Sequence, residues 1–326
     1  MQVKSILELT LGLDKERFRK IFIKMCGKKN LSKDRYVDHS MASDGITVTY
    51  RNSQYKKRIT FTVDPDGVLG SDDLHENIPK FIRKLDAAIT NYFNSKYTLK
   101  DLNLSKMILT TDIDLHDRSK VADYLKVLQR IGKVKGFTVS TSKELEEETY
   151  FWLRGNSNGM EFIIYDLETM LRLEARESDT VPKKLKSAIA EADGVLRAEV
   201  QLTEARAIRA YANEMKTAKQ IADLLKNSQQ AFMDVFTRAI PFGGFYKKSK
   251  AVEIIRKSEC DDKLRRRMLR LIDLIPEKRS LHLAQKALNY RKIDDVMDMF
   301  AYLDLSPITI AKRHDVKKLD NLYKYL

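Results

Sequence analysis

Long apolar runs are missing from this 326-residue chain. None approaches the roughly 18 residues that a membrane-spanning helix needs, which excludes a helical span. Cysteine is nearly absent. Cys26 and Cys260 stand far apart, so they make neither a disulfide scaffold nor a metal-type pair, and a reducing, cytoplasmic setting is expected. The first residues, MQVKSILELTLGLDKERFRK, have no long apolar centre, so no secretory leader is expected. Also missing are a phosphate loop for nucleoside triphosphates, a dinucleotide glycine fingerprint, a zinc pattern and a nucleophile elbow. The five histidines (His39, His75, His116, His282, His314) are scattered, as solvated or hydrogen-bonded side chains usually are.

What is present is apolar material for a core and an excess of positive charge. Hydrophobic residues make up 43% and charged residues 33%, a balance that supports folding rather than disorder. The net charge is +14. Residues 213–326 carry 24 basic and 15 acidic side chains, a net of +9, so the last third holds most of the excess. A basic region of this kind fits a polyanion, most often nucleic acid.

The pattern up to about residue 202 alternates strand and helix signals. Ile46, Val48 and Tyr50, and then Ile59, Phe61 and Val63, keep a period of two. Asp64-Pro65-Asp66-Gly67 has turn chemistry, and a helix is expected from Leu74 to Phe93. Met107–Leu115 is the clearest strand, followed by a helix over Ser119–Ile131. Tyr150–Arg154 and Glu161–Asp166 read as a hairpin around a Gly/Asn-rich loop. Pro182 stands near the start of a further helix, and Val195–Leu202 is again a strand. Beyond residue 204 the period is helical, broken at Pro241-Phe242-Gly243-Gly244, at Pro276 and at Ser306-Pro307. Residues 1–40 offer a helix over Asp14–Cys26 and little else. The expected fold class is α+β: a largely antiparallel sheet with helices on one face, then an all-helical region. The expected domains are 1–212, with 1–40 an ambiguous extension, and a basic helical DNA-binding domain over 213–326.

Three groups of residues could carry chemistry. Asp112 and Asp114 are two apart on a strand and therefore share a face. Two such carboxylates repel, so a compensating cation is expected, Mg²⁺ or Mn²⁺; the alternative is a solvent-facing edge where both aspartates are hydrated or paired with lysines. Glu199, between Arg197 and Gln201 at the same spacing, could join them in a metal cradle or stand in an arginine–glutamate ladder. Tyr246 sits in a basic, glycine-hinged segment, where positive charge favours the nucleophilic phenolate. Alternatively, Phe245 and Tyr246 anchor the helix that follows. Tyr211 is the competing tyrosine. Lys247, Lys248, Lys250, Arg265, Arg266, Arg267 and Arg197 are candidate DNA contacts.

The order of these motifs resembles the rolling-circle replication initiators of plasmids and phages, in the gene-II-type and Rep_trans-type groups. The resemblance runs through the strand bearing Asp112 and Asp114, the hairpin strand Phe162-Ile163-Ile164-Tyr165-Asp166-Leu167-Glu168, the strand Leu196–Leu202 and the basic helices. Leu305-Ser306-Pro307-Ile308-Thr309-Ile310 and Leu319-Asp320-Asn321-Leu322 are similar to endings in the phage-type group. The resemblance implies a nuclease-like palm and a metal-dependent enzyme that nicks and rejoins one DNA strand at an origin through a 5′-phosphotyrosine. By position it implies Asp112, Asp114 and Glu199 as metal ligands and Tyr246 as nucleophile. It further implies single-stranded or hairpin origin DNA as substrate, with a host helicase and a second copy of the chain as partners. Two departures stand out: Leu167 replaces a lysine common in the family, and the histidine pair of many rolling-circle nucleases is not visible as a short motif, so the metal site is carboxylate-rich, partly completed by His116, or absent. A non-catalytic DNA-binding regulator or degenerate initiator is the alternative, and a scaffold that assembles a replication complex is a third.

Overall fold

The computed structural model describes residues 2–54, 57–176 and 183–326; Pro182 lies outside them. In chain order the strands are β1 (Lys4–Gly12), β2 (Arg35–Asp38), β3 (Ile46–Asn52), β4 (Lys57–Val63), β5 (Asn103–Asp114), β6 (Phe137–Val139), β7 (Tyr150–Gly155), β8 (Met160–Asp166), β9 (Val195–Leu202), β10 (Phe245–Tyr246) and β11 (Lys318–Leu319). The helices are α1 (Lys15–Cys26), α2 (Pro65–Leu69), α3 (Ile78–Tyr92), α4 (Arg118–Leu128), α5 (Leu167–Arg176), α6 (Lys183–Glu191), α7 (Ala205–Arg209), α8 (Thr217–Lys226), α9 (Ser228–Ala239), α10 (Lys248–Lys257), α11 (Asp262–Lys278), α12 (Leu281–Leu288) and α13 (Ile293–Tyr302).

Among the described residues, nine strands make one antiparallel sheet in the order β2-β3-β4-β1-β5-β9-β8-β7-β6. The fold is α+β, as the alternation of periods predicts. In residues 213–326 the helices α8 to α13 end at Tyr302, and the stretch after it holds irregular chain, a 3-10 turn at Leu322–Tyr325 and β11, which pairs with β10. The largest departure is β1. It falls inside the ambiguous stretch 1–40, yet it lies near the middle of the sheet, with Leu7 opposite both Val63 and Met107. The 64–67 turn chemistry instead starts α2: the Asp64 carboxylate caps the Asp66 amide and Pro65 takes the first helical position. Pro276 lies inside α11 rather than after it.

One face of the sheet is apolar and covered. Leu7, Leu9, Phe61, Met107, Leu109, Phe162, Val200 and Leu202 are buried there, in one core cluster shared with α3, α4, α8 and α9. That cluster continues through residues 213–326. Phe236 of α9 meets Phe162 edge-on at 5.9 Å, a geometry worth about 0.5–1.5 kcal/mol beyond area burial. The alternate residues of β5, β9 and β8 point to the opposite face. Near Tyr165 that face carries a smaller apolar cluster, in which Met170 and Leu171 of α5 pack with Trp152 and Ile163. The rest of the face under β5 and β9 is polar.

Candidate functional site on the open sheet face

Strand alternation sends Thr110, Asp112 and Asp114 of β5 to the open face, and Arg197, Glu199 and Gln201 of β9 likewise. Register then sets neighbours: Asp112 opposite Arg197, Thr110 opposite Glu199, and Tyr165 of β8 opposite Arg197 from the other side. Arg197 meets Asp112 with both ends of its fork. Nε donates to Oδ1 at 2.6 Å and Nη2 to Oδ2 at 2.8 Å. Burial works to lower the Arg197 pKa, but the hydrogen bond and charge of Asp112, helped by Tyr165, leave it above its ordinary value. The Tyr165 hydroxyl donates to Glu199 Oε2 at 3.3 Å, and Gln201 donates to Oε1 of the same carboxylate. Burial first, and the Glu199 charge second, push the Tyr165 phenol well above its usual range, so it is held as a hydrogen-bond donor.

Asp114 shares the face but has turned to the strand's exit. Its carboxylate accepts from the His116 amide at 2.8 Å and stands 3.0 Å from His116 Nδ1. The three predicted ligands are therefore on one face, each with its own partner. Among the described residues, no three His, Cys, Asp or Glu side chains are placed to hold a metal ion. Arg197 supplies the positive charge that Asp112 requires, so this donor set, as placed, does not fit a three-carboxylate cation site.

The predicted nucleophile, Tyr246, is partly buried against the main core. Phe245 is buried edge-on against Tyr124 of α4, at 6.2 Å, within the covered core. Tyr246, beside it, packs on that core with the Lys318 ammonium 5.7 Å from its ring centroid. Its backbone carbonyl accepts from the Ile310 amide. No hydrogen bond joins Tyr246 to Asp112, Asp114 or Glu199 among the described residues. Tyr211 is half-buried at the end of α7, where burial and the nearby Asp234 charge push its phenol up to about 12.

The predicted DNA contacts are largely engaged within the chain. Lys247 turns inward and its ammonium donates to the carbonyls of Ala311, Lys312 and His314. Lys248 pairs with Asp273 at 2.8 Å and Lys250 with Glu253 at 3.1 Å. Arg265 donates to the carbonyls of Ser258 and Cys260. Arg267 lies 4.9 Å over the Tyr290 ring, and Arg266 is exposed, with Nε on the Asp262 carbonyl.

One constellation escapes the sequence reading. Arg118, at the start of α4, makes a two-pronged bridge to Asp166 at the end of β8, at 2.5 and 2.6 Å, and reaches Glu168 at 3.2 Å. Thr169 Oγ1 donates to the same aspartate at 2.6 Å. Burial works to raise the Asp166 carboxyl, but the bonds and charge of Arg118 and the bond from Thr169 hold it below the usual carboxylate range. Asp166 stands in the hairpin strand Phe162–Glu168, and its partner Arg118 lies 48 residues earlier in the chain, where nothing local marks it. A cleft of about 160 Å³ beside Asp112 is lined by Lys4, Thr110 and Tyr325.

No family model matches the chain, and no curated protein matches it. Among solved structures it is similar to a rolling circle replication initiator protein from Geobacillus stearothermophilus. The identity is 14%, the match covers 82% of this chain and 91% of that one, and the TM-score is 0.30. Among the described residues, no helix is long and apolar enough to cross a membrane.

Proposed function

We propose that this protein acts on DNA as a replication initiator. The observation that carries the reading is charge: a net +14 overall, with +9 concentrated in residues 213–326. Basic groups neutralise backbone phosphates and release counterions, which drives binding and makes it salt-sensitive. The order of motifs along the chain supplies the direction from DNA binding to initiation.

Nicking is the finer part of the proposal. A tyrosine oxygen forms a bond to phosphorus, the P–O3′ bond breaks, and the phenolic proton passes to the departing 3′ oxygen. The 5′ end stays on the protein as a phosphotyrosine, and the reverse reaction reseals the strand. Tyr246 is the first nucleophile to test, then Tyr211. Dependence on Mg²⁺ or Mn²⁺ belongs to this finer part and requires the Arg197–Asp112 bridge to open, since the carboxylates as placed do not fit a cation. A second reading, a DNA-binding regulator without nicking, is favoured by one observation: Arg197 holds both Asp112 oxygens.

Single-stranded origin DNA incubated with the protein, with Mn²⁺ or with EDTA, separates the two. A nickase gives a covalent adduct with Mn²⁺ that disappears in Tyr246→Phe. An adduct that persists in that variant moves the role to another tyrosine. Binding that is strong, salt-sensitive and indifferent to EDTA, with no adduct, favours the regulator.

A further inference from the structure

The engaged state of the predicted contacts raises the question of which cations are free to meet a polyanion. A cleft of about 540 Å³ lies between the loop before β6 and the helices of the last third. Lys133 and Lys135 border it from the loop, Arg238 from the end of α9, and His282 from the first turn of α12. Its lining contains no aspartate or glutamate. Lys133, Lys135 and Arg238 are exposed, and none of the three makes an ion pair among the described residues. Pro241 and Met297 give the cleft an apolar part. The similar-sized cleft beside α4, about 560 Å³, differs: Asp117, Asp123 and Asp315 there balance Lys120, Lys126 and Arg313.

The walls are held in place. Gly132 has φ of +69° and approaches the α12 cap so closely that a Cβ there would lie 2.8 Å from the Ser280 Cβ. Ser280 in turn caps α12, its Oγ accepting from the Leu283 amide at 3.0 Å. The loop bearing Lys133 and Lys135 is thus pinned to the helix bearing His282. Uncompensated charge on fixed walls presents a field without the cost of first breaking internal pairs.

We propose that this cleft binds the sugar-phosphate backbone of a single-stranded polynucleotide, with Lys133, Lys135 and Arg238 on phosphates and the apolar part beneath a base. The lining joins basic side chains to an apolar part, and a single strand is bound in that way, by a cationic track with apolar contact to its bases. The inference rests on the DNA-binding reading above and names the surface that performs it.

The test is fluorescence anisotropy of a labelled oligothymidylate across a salt series. It compares the full chain with a Lys133→Gln, Lys135→Gln, Arg238→Gln variant and with a Lys15→Gln, Lys24→Gln control on the exposed face of α1. The cleft variant should bind at least about tenfold more weakly near 0.1 M salt, and its log K against log salt slope should be shallower by about 2. The control should stay within about twofold, and both variants should melt like wild type, since all five side chains are exposed. If wild type binds steeply and the cleft variant matches it, or the control loses as much, the cleft assignment is overturned while DNA binding stands. If wild type binds no oligonucleotide, both fall. If polyglutamate displaces the oligonucleotide at equal charge concentration, the occupant is an acidic protein segment and the assignment is overturned.

Discussion

The open sheet face and the cleft beside Gly132 spend their charges in opposite ways. On the sheet, Arg197 closes on Asp112, Tyr165 and Gln201 on Glu199, and Arg118 on Asp166. In the cleft, Lys133, Lys135 and Arg238 have no acidic neighbour in the lining. Paired charges fix geometry and contribute to stability. Unpaired ones contribute little to stability and leave their field for a ligand. Net charge counts both kinds alike, which is why the arginine-rich run 265–267 stands out in the sequence although Arg265 and Arg267 are taken up internally.

The comparison breaks most sharply at Asp166, whose side chain is 7% exposed. Arg118→Ala removes the charged partner of that carboxylate, and because the arginine is 42% exposed and Thr169 still donates to Asp166 the cost in urea unfolding should be about 2 kcal/mol; a loss under about 0.5 kcal/mol would mean that the bridge is not a structural tie. The same pair sets a pH signature. The folded Asp166 carboxyl titrates below its unfolded value of about 3.9. Its contribution is therefore complete above that value and is lost as pH falls through the lower folded one. Asp166→Asn should flatten the acid limb of a stability–pH curve below about pH 4 while leaving the slope near neutrality unchanged. A smaller effect is expected from Tyr165→Phe, which removes one hydrogen bond from Glu199 and should cost about 1 kcal/mol. The smallest belongs to the cleft: the triple glutamine variant should unfold within about 0.5 kcal/mol of wild type even as it loses oligonucleotide binding. A large stability loss there would show that the cleft cations are structural after all.

Elements were legible where their own residues carry the signal, and contacts were not where they depend on distant register. β3, β4, β5 and β9 are readable because each carries its own period of two, and the β7–β8 hairpin because its loop is local. β1 carries the same alternation in Leu7, Leu9 and Leu11. Leucine, however, is a good helix former, so β-branched or aromatic composition does not mark that face as part of a strand. The open-face carboxylates are legible as residents of one face, because alternation alone places them there. Which cation answers them is not, because Arg197 reaches Asp112 only through register across 85 residues. The place of the Phe245-Tyr246 strand depends on Phe245 packing against Tyr124, a tertiary contact with no local signal. The cleft is formed by segments near residues 133, 238 and 282, so its common charge becomes visible only once the chain is folded.

The central claim is that the positive charge serves a polynucleotide. Its most direct test is the salt dependence of wild-type binding to single-stranded DNA. The account predicts a linear fall of log K with log salt, steeper by about 0.7 for every phosphate neutralised. Absence of binding at low salt, or affinity that stays flat as salt rises, would contradict it.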